Sequence, residues 1–140
     1  MIEYIHNKGE LLSIIVRSGY EKNGIEFFTP NDLSQQLAYM KRPKDYIIEP
    51  HVHNPLPREV VYTNEVLLIK SGKIKIDLYD QKKSYLNSFV LEKGDVILLA
   101  SGGHGIRMLE ETEIIEVKQG PYLQDRDKTR FEGSKADKIK

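Results

Sequence analysis

Four residues of types that bind metals or move protons lie in the middle of the chain. They are His51 and His53 in "HVH", Glu65 in "NEVLLIKSG" and His104 in "SGGHGI". In an extended strand, residues two apart point to the same face, so His51 and His53 project together about 7 Å apart. That separation lets two imidazoles converge on one ion, with Val52 on the opposite face. If Glu65 and His104 lie on neighbouring strands at the same level, the set offers three neutral nitrogens and one carboxylate oxygen. Such donors suit a borderline first-row dication and leave positions open for water or substrate. The plain alternative is four polar side chains on a solvated sheet face. The fourth histidine, His6, has no partner in view and reads as exposed.

The segments that would position these residues are short and rich in Val, Ile, Leu, Tyr and Phe. From Tyr46 onward they are "YIIEPHVH", "NEVLLIKSG", "KIKIDLYD", "SYLNSFVLE", "GDVILLAS", "HGIRML" and "TEIIEVKQ", separated by "SGK", "DQKK", "EKGD", "SGG" and "LEETE". A spacing of about ten residues is the rhythm of an antiparallel sandwich or barrel. No stretch is long enough for crossover helices, which excludes a parallel α/β sheet. On "IIEPHVH", Ile48, Pro50 and Val52 share the face opposite the histidines. An apolar outer face needs a cover, and a homodimer packed through sheets is the expectation.

The first 45 residues read as an N-terminal arm packing on a barrel over 46–122, followed by a charged tail over 123–140, all within one domain. Leu11, Leu12, Ile15 and Val16 recur at helical spacing, which predicts a short helix over 8–20 ended by Gly19. "NGIEFFTP" reads as a turn and a short strand. "TPNDLSQQLAYM" reads either as a capped helix or as chain running extended beside the barrel. The tail, "QDRDKTRFEGSKADKIK", is expected to fray beyond Phe131. Basic and acidic residues balance at 21 each, which gives no support for nucleic acid as a partner. The first twenty residues contain neither a leader pattern nor an apolar span, so no membrane association is expected. The absence of cysteine excludes disulfides and thiolate sites and fits a reducing cytoplasm.

At this point the chain resembles the cupin superfamily. That family's first motif has a His-x-His pair, a glutamate, and a glycine seven residues after the glutamate; "HVH", Glu65 and Gly72 are similar to it. Its second motif runs glycine, five residues, a bend, then histidine; Gly94, "DVILL", "ASGG" and His104 are similar to that. The gap between His53 and Glu65 is longer than usual, and Glu59 competes with Glu65 as the carboxylate. Ala100 stands where the family usually has proline. The resemblance implies a jelly-roll barrel and a divalent metal (zinc, iron, manganese, nickel or cobalt) held by His51, His53, Glu65 and His104. It extends more closely to short single-domain bacterial cupins, some of them encoded among polysaccharide or nucleotide-sugar genes.

Around those ligands, Tyr62 and Glu116 are the catalytic candidates, with Glu59 a further base. Lys118, Gln119 and Tyr122 are candidates for the pocket mouth, and Arg58 for an anionic group of a substrate. The expected activity is metal-assisted isomerisation or epimerisation of a small polar metabolite such as a sugar derivative. An iron-dependent dioxygenase is the competing enzyme class. A metal-dependent small-molecule- or sugar-binding module is the non-catalytic alternative.

Overall fold

The computed structural model describes residues 1–121, 123, 126 and 128–134. Ten strands follow in chain order: β1 (Ile2–Asn7), β2 (Glu10–Val16), β3 (Gly24–Phe27), β4 (Ala38–Lys41), β5 (Glu65–Ser71), β6 (Lys73–Tyr79), β7 (Tyr85–Glu92), β8 (Val96–Leu99), β9 (Gly103–Met108) and β10 (Glu113–Lys118). The described residues contain no α-helix. A five-stranded sheet has the order β1-β2-β8-β5-β10, a three-stranded sheet the order β7-β6-β9, and β3-β4 form a separate ribbon. All pairings are antiparallel. The chain is thus all-β and built as a sandwich; its sheets do not close into the barrel that the sequence led us to expect. No helix is long and apolar enough to cross a membrane.

The core lies between the two sheets. Ile15, Ile69 and Ile97 from the larger sheet meet Ile74, Ile76 and Leu91 from the smaller one, all without solvent exposure. The strands alternate as their burial requires. On β6, Ile74, Ile76 and Leu78 face inward while Lys73, Lys75 and Asp77 do not. A second apolar cluster covers the other face of the larger sheet. There Ile14, Val16 and Leu98 pack beneath Phe28, with Tyr20, Leu37 and Tyr39 around them. Tyr20 sits edge-on to both Phe28 and Tyr39, at centroid distances of 5.5 and 4.9 Å.

Two regions differ from the sequence reading. In place of a helix over 8–20, β1 and β2 form a hairpin, with Asn7 opposite Glu10. Lys8 and Gly9 both have positive φ, 52° and 81°, the conformation that a two-residue hairpin turn demands. The helical spacing arose because β2 is buried on both faces, so its apolar run has no period of two. Residues 29–40 form no helix: 31–35 make turns and bends, and the chain enters β4 at Ala38. The second difference is "YIIEPHVH". It forms no strand: residues 46–62 are irregular and exposed. Ile48 and Val52 do point to solvent, at 57% and 85% exposure, but without the strand parity that was expected to turn them outward.

Two glycines mark close passages of the backbone. Gly72, between β5 and β6, has φ +90°, and a Cβ there would lie 2.3 Å from the carbonyl oxygen of Glu111. Gly102, between β8 and β9, has φ +75°, and its Cβ would lie 2.4 Å from the Tyr79 carbonyl oxygen. At Gly102 the chain leaves the five-stranded sheet and enters the three-stranded one.

Candidate functional site

That crossing creates the site. Glu65 opens β5 in the larger sheet, and His104 is the second residue of β9 in the smaller sheet. Along β5 the inward positions are Glu65, Leu67 and Ile69; along β9, His104 pairs with the inward Leu78. The two side chains therefore meet across the sandwich, with His104 Nε2 3.4 Å from Glu65 Oε2. Lys118 of β10 pairs with Glu65 in register and places Nζ 3.9 Å from Oε1. These three residues line a cavity of about 780 Å³, together with Tyr62, Gln119, Tyr79 and the 128–133 segment. A volume of that order accommodates a small-molecule ligand.

The backbone that carries Glu65 is held from three sides. Asn64 is 3% exposed. Its backbone N–H donates to Gln119 Oε1 (2.9 Å) and its side-chain amide to the Ala100 carbonyl (3.0 Å). Ser34 Oγ donates to Asn64 Oδ1 (3.0 Å). The starts and ends of β5, β8 and β10 are thus fixed to one another at the cavity rim. Ser101 Oγ donates to the Leu11 carbonyl (2.7 Å), pinning the bend that delivers His104.

The contact with His104 lowers the pKa of Glu65 from its ordinary value, against the opposing effect of burial; the charges of Lys118 and Lys128 also favour ionisation. A carboxylate with a depressed folded-state pKa contributes stability that is complete above its ordinary value and is lost as pH falls through the lower folded value. Comparing thermal midpoints of the wild type and Glu65→Gln should therefore show a gap at pH 6. The gap should narrow as pH drops below the ordinary carboxylate value of 4.5. A gap that stayed constant down to pH 3 would mean that the ionised Glu65 carboxylate adds nothing to the fold.

The other residues singled out in the sequence are placed as follows. His51 and His53 stand on the exposed segment, with rings 5.2 Å apart and edge-on; His51 Nδ1 donates to the Glu49 carbonyl (2.8 Å). The four expected metal ligands thus fall into two pairs, His51 with His53 and Glu65 with His104. Among the described residues, no three His, Cys, Asp or Glu side chains gather where they would hold an ion. The donors as placed do not fit a four-ligand metal centre. Glu59 and Arg58 are exposed on the same segment. Tyr62 lines the cavity mouth and is 75% exposed. Glu116 pairs with Lys118 at 3.5 Å and does not line the cavity. Gln119 lines the rim as expected, and Tyr122 lies outside the described residues.

Several residues at the site have no counterpart in the sequence reading: Asn64, Tyr79, Arg107 and the arm residues Lys128, Arg130 and Phe131. Of these only Phe131 carried a local signal, as the one aromatic residue in a charged tail. The described part of the tail is packed through Ser134, and 135–140, where fraying was expected, lie outside the described residues. Phe131 packs edge-on to Tyr79 at 4.9 Å, and the Ser134 N–H donates to Tyr79 Oη (3.0 Å).

Fold and site define a β-sandwich with a cavity between its sheets, where a carboxylate from one sheet touches an imidazole from the other. No known family's sequence pattern matches the chain, and no match is found among curated proteins or solved structures.

Proposed function

We propose that the protein binds a small polar metabolite in the cavity between its sheets and acts on it by proton transfer through His104, oriented by Glu65. The contact between Glu65 and His104 inside that cavity carries this reading. A carboxylate beside an imidazole fixes the ring's orientation. The ring is then suited to take a proton from carbon next to a carbonyl and return it, the chemistry of an isomerase or epimerase. Lys118, 3.9 Å from the same carboxylate, is placed to hold a substrate oxygen. Tyr62, at the mouth, is the candidate for a second proton donor. In the non-catalytic version the same groups only grip the ligand.

Amide chemical-shift mapping with a panel of small sugars and hydroxy acids tests the reading. Shifts should centre on Glu65, Gly103 and His104. Glu65→Gln and His104→Ala should each weaken binding roughly tenfold or more, as expected for losing a hydrogen bond to a charged group. Shifts confined to other surfaces, or unchanged affinity in both variants, would overturn it.

A second reading retains the metal-dependent enzyme expected from the motifs. It draws on the proximity of the His51 and His53 rings, which suits uptake of a transition metal by that pair. Elemental analysis of wild type and of the His51→Ala/His53→Ala double variant decides it. Stoichiometric metal in the first and none in the second would favour it; no metal in either would remove it.

A further inference from the structure

The core face of β9 is uncovered. Ile106 stands opposite Ile76 and Met108 opposite Ile74, and both partners are wholly buried. Residues directly opposite each other in a strand pair share a face, so Ile106 and Met108 point into the sandwich. They are nonetheless 38% and 53% exposed. The cause is the sheet order: β9 ends the smaller sheet, and among the described residues no strand adjoins its outer edge. The Leu109 N–H donates to the Lys73 carbonyl (2.9 Å). Bonded and non-bonded positions alternate along an antiparallel pair. Gly103, Gly105 and Arg107 therefore bond to β6, while His104, Ile106 and Met108 turn their N–H and C=O groups to the free edge.

The chain carries a segment suited to that edge. Every residue from 41 to 63 is exposed, and "YIIEPHVH" within it has the composition of a strand with no neighbour. Pro50 decides how it can lie. Proline is accepted in an outermost strand when its nitrogen faces away from the ladder. Pro50 must then stand opposite Gly103, Gly105 or Arg107, the residues that ask no donor of it. The face at Gly103 is already filled by Phe131, 3.1 Å from a Cβ built there, whereas at Gly105 the nearest atom is 4.0 Å away. This seats Pro50 opposite Arg107 and Val52 over Gly105. In that register Ile47, His51 and His53 share the inner face with Ile106 and His104.

The approach of the segment selects its occupant. "NPLPR" over 54–58 carries Pro55 and Pro57, and proline-rich chain runs extended at about 3 Å per residue. It holds 46–53 out from the body that resumes at Asn64 and presents it to another molecule. Exchange of identical elements is a low-cost route to a dimer and closes by two-fold symmetry. Once added, Pro50 leaves a gap in the new outer edge, which blunts any further pairing.

We propose that two copies of the chain exchange residues 46–53, each adding them as an antiparallel outer strand to the partner's β9. His53 of the partner subunit then faces the cavity beside His104, so each site is completed by the other copy. The exchange does not depend on what the cavity binds.

Sedimentation equilibrium of the wild-type chain should give a dimer at micromolar concentration. His51→Pro removes a donor that faces Ile106 and should weaken the dimer roughly tenfold or more. At Val52 the nitrogen faces outward, so Val52→Pro should leave the dimer nearly as tight. Both positions lie on the exposed segment, so neither change should disturb the sandwich. Oxidation of coexpressed Val52→Cys and Gly105→Cys chains should give a disulfide-linked pair containing one of each, since opposed non-bonded positions lie within disulfide reach. A monomeric wild type overturns the proposal. So does equal dissociation in the two proline variants, which would show contact without strand pairing. A Val52→Cys/Gly105→Cys chain that closes its disulfide within one monomer also overturns it, by placing the segment on its own β9.

Discussion

Gly102→Ala is expected to lower stability by about 3 kcal/mol and to displace His104. Left-handed backbone costs a residue with a Cβ roughly 1–2 kcal/mol. The remainder is steric: the new methyl would lie 2.4 Å from the Tyr79 carbonyl oxygen and 3.1 Å from Leu12 Cδ2. The first neighbour is backbone within the central strand of the smaller sheet and cannot swing aside. Gly9→Ala is the matched control. Gly9 also has positive φ, 81°, but nothing lies within 4 Å of its would-be Cβ. Only the conformational part, on the order of 1–2 kcal/mol, should be lost there. Urea unfolding of both variants measures the difference. Equal losses at the two positions would show that the crossing relaxes around a methyl group, and the positioning of His104 would need another cause.

The largest side-chain effect is expected at Asp95. This carboxylate is 3% exposed and accepts three hydrogen bonds: from the Ser18 backbone N–H (2.8 Å), the Glu92 backbone N–H (2.9 Å) and Arg17 Nη1 (3.2 Å). Arg17 also donates to Glu3 (2.6 Å) and to the Val90 carbonyl (2.7 Å). The cluster joins the end of β2, the β7–β8 turn and β1. Asp95→Ala leaves a part-buried guanidinium and two amides short of a partner, a loss of about 3–5 kcal/mol. Asp95→Asn keeps an acceptor of the same shape and should lose about half as much. Thermal and urea unfolding of the pair check the order. If alanine cost under about 1 kcal/mol, Glu3 and solvent would be satisfying Arg17 without Asp95.

The strands that could be read from the sequence are those whose burial is one-sided or whose turns are marked. From "NEVLLIKSG" to "TEIIEVKQ", six segments became β5 to β10. Their punctuation by "SGK", "EKGD" and "SGG" marks real turns, with Gly72, Gly94 and Gly102 all at positive φ. β2 reads as helix in the sequence because "LLSIIV" is covered on both sides, by the second sheet and by the β3–β4 ribbon. A run with no dry-and-wet alternation looks alike in either conformation. "YIIEPHVH" has a strand's composition, but Pro50, Pro55 and Pro57 stand in or just after it, and proline removes donors that a strand ladder uses.

At the site, Glu65 and His104 could be singled out because strand and turn signals flank each of them. Asn64 and Tyr79 could not. Their roles come from partners 30 or more positions away, as with Asn64 and Ser34 or Tyr79 and Ser134. No local pattern encodes such a meeting. The exposed apolar side chains of residues 46–62, Ile47 at 76% and Val61 at 74% among them, are the feature that keeps the expected homodimer open as a proposal.

The seam between β2 and β8 also governs when the molecule can finish folding. Val16 pairs with Val96 and Ser13 with Leu99, partners 80 and 86 positions apart. A growing chain makes the β1–β2 hairpin early, but Ile14 and Ile15 then have neither the neighbouring strand nor the opposing sheet to cover them. Only after Leu99 has been added can the five-stranded sheet be joined. Closing so long a loop costs entropy before any contact repays it. Folding on the order of milliseconds to seconds, the slow range of non-local β topologies, follows from that wiring. Until then the N-terminal hairpin is the part of the nascent chain most in need of protection from other apolar surfaces.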